Sequence, residues 1–344
     1  MEMAERKRIV MLVLGEVPQL PPGPASPPVP AAAAPAYAVS AVPRQIRIGQ
    51  ETAEVDGRPV AVELRGFPPD ILLVQATVEV DDLFTRDIFD LEDRILDLAH
   101  ARLAGRGGTK ELSEEYTVFV VSGYAGDPEQ YLAHAPLIAS LLKSDRQALD
   151  AEEIAHTLTT QIKYGENDMA LIDWDGAFLF DPAGDVAEEI ELLTLANLQL
   201  LRTRLLDRQL DARLRQLTEL VETTSPAKLA RDSKAMARDL MAVARIRMQS
   251  IAEQQQLERD VRLIGDWYSA RFFDLVAAKF KLEAWRRAIQ NKLEALEDVY
   301  TVVLDNFSLS AKHRAEWAQI IVFFFLQLGW ALLIVLELIH LARH

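Results

Sequence analysis

Two aspartates flank a tryptophan in the segment Asp173-Trp174-Asp175, a spacing that could serve a divalent metal or a sugar nucleotide. The same segment continues into Gly176, and the dipeptide Asp175-Gly176 favours a tight hairpin turn. Apolar runs on both sides predict two short strands, so the turn by itself accounts for these residue types. We therefore interpret Asp173 and Asp175 as turn residues.

The other reactive residue types lack the spacing of a catalytic or metal site. The chain has no cysteine, which excludes disulfides, thiolate ligands and cysteine nucleophiles. The glycine-rich residues 105–110 lack the order of a phosphate loop and follow a predicted helix instead of a strand. The histidines show no ligand spacing; they stand at positions 100, 134, 156, 313, 340 and 344. We therefore predict a protein that is not an enzyme and that has no catalytic residue, cofactor or metal.

A basic cluster stands out in the second half of the chain. Residues 202–247 carry eleven Lys+Arg against six Asp+Glu. The cluster is formed by Lys228, Arg231, Lys234 and Arg238. One interpretation is a solvated helix tip with ordinary helical pairs, such as Asp211 with Arg215. The other is a tip that docks on an anionic partner, either lipid headgroups in a folded bundle or a distant protein in one long helix.

The first half of the chain is strongly acidic. Residues 1–180 contain 15 Lys+Arg and 29 Asp+Glu, so that nearly all of the net charge of −15 lies in this half. A surface of this sign repels nucleic acid. We therefore predict that this half binds no nucleic acid.

The first 184 residues predict one strand, a linker and an acidic α+β domain. Residues 1–17 hold the strand, and residues 18–43 form a Pro/Ala-rich linker or insertion, for which an SH3-type ligand is the alternative. Residues 44–184 mix apolar strands and amphipathic helices, with a hairpin at Asp56-Gly57. Because strands and helices do not alternate strictly, we expect an antiparallel sheet with helices on one face.

Residues 185–310 are predicted to be almost entirely helical. Apolar residues recur with spacings of three and four, which indicates an antiparallel helical bundle or coiled-coil stalk. Ser225-Pro226 predicts a helix restart. Gly265 predicts a second break that would make three helices, and the alternative is a kink in one very long helix.

The end of the chain predicts a single transmembrane helix at residues 315–340. The apolar run from 318 to 336 supplies about the ~20 residues that a bilayer core requires. Residues assigned to this anchor and its junction are Arg314, Glu316, Trp317, Gln327 and Glu337. The short apolar stretch at residues 9–14 does not make a secretory signal. The prediction is therefore a tail-anchored, single-pass protein in the lipid bilayer, with its remainder in the cytoplasm.

The C-terminal third resembles the "required for meiotic nuclear division" family, whose members share a domain of unknown function. The resemblance rests on Asp266-Trp-Tyr268 and on the junction Arg314, Glu316 and Trp317 before the predicted anchor. It implies a non-enzymatic, membrane-anchored protein with a helical region before one C-terminal membrane helix.

Together these features predict a membrane-anchored scaffold. An acidic α+β domain on a helical stalk would form a homo-oligomer and hold a cytoplasmic protein partner. The alternative is a membrane-anchored regulator that senses a ligand or cation. A third hypothesis, an oligomeric ion pathway, depends only on polar residues in or near the span, such as Gln319, Gln327 and Glu337.

Overall fold

The computed structural model describes residues 4–26, 45–223, 238, 240–248, 251 and 267–341. Side-chain surroundings are described for these residues except 25–26, 220–223, 302–318 and 331–341. The predicted linker at 18–43 lies largely outside this part of the chain, as do Ser225-Pro226 and Gly265.

A nine-stranded mixed sheet forms the centre of the N-terminal region. Its strands lie in the order β2-β3-β4-β5-β1-β6-β9-β8-β7. All neighbouring pairs are antiparallel except β6 and β9, which are parallel. The strands are β1 (Arg6–Glu16), β2 (Ala25–Ser26), β3 (Gln45–Val55), β4 (Arg58–Phe67), β5 (Ile71–Val80), β6 (Ser113–Ser122), β7 (Gln161–Ile162), β8 (Met169–Ile172) and β9 (Gly176–Phe180).

Six α-helices are labelled in the described residues, and they cover both faces of the sheet. They are α1 (Asp87–Ala104), α2 (Ala135–Leu142), α3 (Ala151–Leu158), α4 (Ala187–Thr223), α5 (Trp267–Lys279) and α6 (Leu282–Leu341). One core packs the sheet against α1 and α2, and a second core packs it against α4 and α5. The helices within residues 44–184, α1 to α3, therefore lie on one face as predicted, and helices from the region after residue 184 cover the other face.

The central strand β1 shows why both faces need a cover. Its residues alternate between the two cores, with Ile9 and Met11 in the first and Val10 and Leu12 in the second. Side chains of a strand point to opposite faces in turn, so a continuous apolar run requires burial on both sides. The sequence shows this continuous apolar run at residues 9–14, and its continuity indicates that both faces of the sheet are covered.

The hairpin between β3 and β4 confirms the turn predicted at Asp56-Gly57. Both residues have positive φ, 53° for Asp56 and 74° for Gly57. Two successive positive φ values are what a two-residue hairpin requires to match the twist of its strands.

The chain divides into two compact units. Unit 1 comprises residues 1–208 and 252–289, and unit 2 comprises residues 209–251 and 290–344. The predicted domain boundary at residue 184 therefore falls inside unit 1, because the first half of α4 belongs to the same unit as the sheet. Unit 2 buries apolar residues from α4, the helical residues 240–248 and α6: Leu210, Leu217, Val243, Leu293, Leu296 and Tyr300.

Helices follow the sheet region as predicted, but no helix in the described part of the chain is long and apolar enough to cross a bilayer. The transmembrane helix predicted at 315–340 is therefore wrong, as is the tail-anchored localisation. A span needs ~20 predominantly apolar residues.

Candidate functional site

The largest exposed apolar surface among the described residues lies on α6. Residues 320–330 include nine large apolar side chains that are 51–71% exposed: Ile320, Ile321, Val322, Phe323, Phe324, Phe325, Leu326, Leu328 and Trp330. Exposed apolar clusters of this kind mark contact surfaces. Among the predicted anchor residues, Gln327 lies exposed within this run. The backbone of Arg314, Glu316, Trp317 and Glu337 is helical, and their side chains lie outside the described set.

The Asp173 side chain joins the β8–β9 turn to two helices. The turn is closed by the Asp173 backbone N–H, which donates to the Gly176 carbonyl at 2.9 Å. Asp173 is 4% exposed, and its carboxylate forms ion pairs with Lys279 of α5 at 3.0 Å and with Lys143 beyond α2 at 3.5 Å. Two cations therefore neutralise a carboxylate that would otherwise be buried with its charge unpaired.

Gly176 is required by a close approach and not by the turn. It is the first residue of β9, and a Cβ there would lie 3.0 Å from the Thr117 carbonyl oxygen of β6. The pKa of the neighbouring Asp175 is raised to about 6 by burial and by the charge of Asp173. Within the described residues, no group of three or more acidic, histidine or cysteine side chains is arranged to hold a metal ion.

A buried polar network, which no sequence pattern indicated, connects α4 to strands β3, β4 and β5. Arg65 donates from Nη1 to Glu191 Oε2 at 2.7 Å and to Gln45 Oε1 at 3.0 Å. Its Nη2 donates to Gln75 Oε1 at 3.0 Å. Glu191 also accepts a hydrogen bond from Gln45. Because these four side chains mainly form hydrogen bonds with one another, we interpret the network as structural.

Two further carboxyl groups have pKa values near neutrality. Burial raises the pKa of Glu92 on α1 to about 7, although its Oε1 accepts a hydrogen bond from Thr117. The Glu92 Oε2 atom is buried and makes no hydrogen bond in the described structure. Burial also raises the pKa of Glu189 to about 7, with added repulsion from Glu188. These groups lie 97 positions apart in sequence, and no local pattern signals their burial.

A small pocket lies entirely within unit 1, between the start of β6, the middle of α4 and the start of α6. Its volume is about 210 Å³. The wall combines apolar side chains, including Leu201, Leu205 and Trp285, with charged ones. Among the charged side chains, Arg204 pairs with Glu114 at 2.5 Å. The Glu114 carboxyl is 8% exposed, and burial raises its pKa despite the partner.

The predicted basic cluster is described at one position only. Arg238 is exposed, and Lys228, Arg231 and Lys234 lie outside the described residues. Two of the described histidines have structural contacts. His100 pairs with Glu115, and the ring of His134 stacks on Phe84 with 4.4 Å between the ring centroids. Of the described residues among these, Arg238, His100 and His134 do not line the pocket.

Two comparisons relate this chain to known proteins, and the first of them covers the sheet region. Residues 24–188, just under half of the chain, match a family model described as the N-terminal domain of the uncharacterized protein MJ0711. The chain is also 27% identical over 218 residues to the uncharacterized protein MJ0711 of Methanocaldococcus jannaschii. That alignment covers 63% of this chain and 65% of the relative, just under two thirds of its length. No solved structure gives a significant match.

The matched region begins at β2 and ends at the start of α4. It therefore includes the Asp173 turn and Glu114, and it stops before Arg204 and Trp285. Both matches are with uncharacterized proteins and assign no activity. Neither concerns the "required for meiotic nuclear division" family.

Proposed function

We propose that this chain is a non-enzymatic scaffold that forms a homo-oligomer through residues 320–330 of α6 and carries the acidic sheet unit to a protein partner. The observation that supports it is the exposed apolar run on α6. Successive residues of an α-helix are rotated by about 100° around its axis, so four consecutive residues cover all sides of the helix. Residues 320–326 are apolar at every position, so this part of α6 is apolar on all sides. A helix that is apolar all round belongs in a core.

A second copy of the chain is the occupant that best matches this surface. Identical chains associate with closed symmetry, which brings the same helix of each copy to a common axis. Earlier on the same helix, Leu293, Leu296 and Tyr300 recur with the spacing of three and four that is typical of coiled-coil seams. Those three residues are buried within the chain itself, so the assembly surface begins beyond them.

The apolar area is large enough for association. Full burial of a large apolar side chain contributes about 2 kcal/mol, so nine of them contribute on the order of 15–20 kcal/mol per chain as an upper value. The cost of association is about 4–15 kcal/mol. Burial of even most of the run would therefore favour a stable oligomer at micromolar concentrations.

Native mass measurements in aqueous buffer test the proposal. We expect the full chain to form one defined oligomer, and a variant with Phe323→Ser, Phe324→Ser and Phe325→Ser to have the mass of the 38.6 kDa chain. The matched control is Met248→Ser, which removes an apolar side chain that is 72% exposed in the same unit. It should keep the oligomer. A monomeric full chain, an undefined series of masses, or an unchanged oligomer in the triple variant would each refute the assembly.

We further propose, from the sequence resemblance alone, a distant relation to the "required for meiotic nuclear division" family. Its support is the junction Arg314, Glu316 and Trp317. A family alignment in which these residues do not fall on the family's own junction would remove the relation.

A further inference from the structure

The pocket at the start of β6 has the composition of a ligand site for a small molecule. Leu201, Arg204, Leu205 and Arg208 have positions i, i+3, i+4 and i+7 on α4, so they share one helix face that lines the pocket. Trp285 of α6 supplies a flat apolar wall. A concave apolar site with a few convergent polar groups is the usual form of a binding pocket. The volume of about 210 Å³ equals the share of roughly seven waters.

The pocket wall contains two arginines, and only one of them, Arg204, forms an ion pair with a described residue. Arg204 is neutralised by the buried Glu114. Arg208, one turn further along α4, is exposed and makes no hydrogen bond or ion pair with any residue that the structure describes. A guanidinium carries five N–H donors in a planar fork that fits a carboxylate with two parallel hydrogen bonds.

The negative charges in the wall limit the anion that can bind. Glu111, Glu114 and Asp207 also line the pocket. Because Arg204 and Glu114 compensate each other, a dianion such as phosphate would meet the carboxylates of Glu111 and Asp207 and the single further cation Arg208. A monoanion with an apolar body would meet that cation and the tryptophan. Repulsion between like charges at close range therefore weakens the binding of the dianion more than the binding of the monoanion.

We propose that this pocket binds a small monocarboxylic acid, with its carboxylate on Arg208 and its apolar body against Trp285, Leu201 and Leu205. The site lies in unit 1 and does not depend on assembly through α6. It is the kind of site that a ligand-responsive regulator requires.

Titration of the full-length chain with benzoate, followed by saturation-transfer NMR, tests the proposal. We expect saturable binding with a Kd of ~1 mM or tighter. Arg208→Gln should weaken it about tenfold or more, because a hydrogen bond to a charged group is lost. Arg208→Lys keeps the charge without the fork and should give an intermediate affinity. Benzamide, which has the same shape without the charge, should bind the unmodified chain as weakly as benzoate binds the glutamine variant.

Two controls separate this site from general attraction to cations. Arg213→Gln changes an arginine of α4 that does not line the pocket, and it should leave benzoate binding unchanged. Inorganic phosphate should show no saturable competition with benzoate. The proposal is overturned by an absence of saturation at ~10 mM benzoate, by equal affinities for the unmodified chain and Arg208→Gln, or by phosphate competing at the same concentration as benzoate.

Discussion

Replacement of Glu92 by glutamine should stabilise the protein at alkaline pH. Glu92 is 5% exposed, lies on α1 and faces Thr117 of β6. Its Oε2 atom is buried without a hydrogen-bond partner. Burial, together with the charges of Asp93 and Asp175, raises its pKa to about 7 from 4.5, against the opposing effects of the Thr117 hydroxyl and Arg146. Glutamine keeps the acceptor oxygen for Thr117 and removes the ionisation.

The pKa difference sets both the sign and the size of the effect. The folded state holds the Glu92 proton more tightly than the unfolded state, so this carboxyl opposes folding only when it is ionised. Its contribution to stability is complete below pH 4.5 and is lost as the pH rises through about 7. A difference of about 2.5 units at 1.36 kcal/mol per unit amounts to ~3 kcal/mol at pH 8 and ~1 kcal/mol or less at pH 5.

Melting temperatures of the unmodified chain and Glu92→Gln at pH 5 and pH 8 measure this difference. Any packing cost of glutamine is the same at both pH values and cancels when the two shifts are compared. For a unit of this size ~3 kcal/mol corresponds to a shift of about 6–12 °C. The matched control is Glu54→Gln, an exposed carboxyl of β3 without a recorded partner, which should show no such pH-dependent gain. An equal shift at pH 5 and pH 8 would refute the reasoning.

Three further substitutions test the packing of unit 1, each by chemical or thermal unfolding. Arg65→Met should destabilise by about 3–5 kcal/mol because it leaves the Glu191 charge buried and unpaired, whereas Arg65→Met combined with Glu191→Leu should recover most of the loss. Gly176→Ala should cost about 1–3 kcal/mol, since its Cβ would press on the β6 backbone at 3.0 Å. Asp173→Asn should cost about 1–3 kcal/mol through loss of two ion pairs to lysines. A loss below ~0.5 kcal/mol in any of them would contradict the assigned contact.

Features that depend on nearby residues were predictable from the sequence. The hairpin at Asp56-Gly57 follows from the dipeptide, because few other residues adopt positive φ twice in succession. The apolar spacing over residues 83–103 predicts a helix, and α1 spans Asp87–Ala104. The Asp175-Gly176 dipeptide predicted less, because the glycine is required by the close approach of the β6 backbone and not by the turn.

The transmembrane prediction shows the limit of composition. An apolar run beside Trp317 has the character of a span, but the described part of the chain holds no helix of sufficient length and apolarity. The error carried into the localisation and into the interpretation of Arg314, Gln327 and Glu337. Part of the predicted span is nevertheless observed as an exposed apolar run at residues 320–330.

The sequence by itself determined the order of most strands and helices, the acidic character of the first half and the absence of cysteine chemistry, since each depends on composition or on short-range periodicity. The tertiary structure decided which faces are covered and which charges meet. Arg65 and Glu191 are separated by 126 positions, and Glu114 and Arg204 by 90. Burial and the fields of distant side chains set the state of these groups, and neither is visible until the chain has folded.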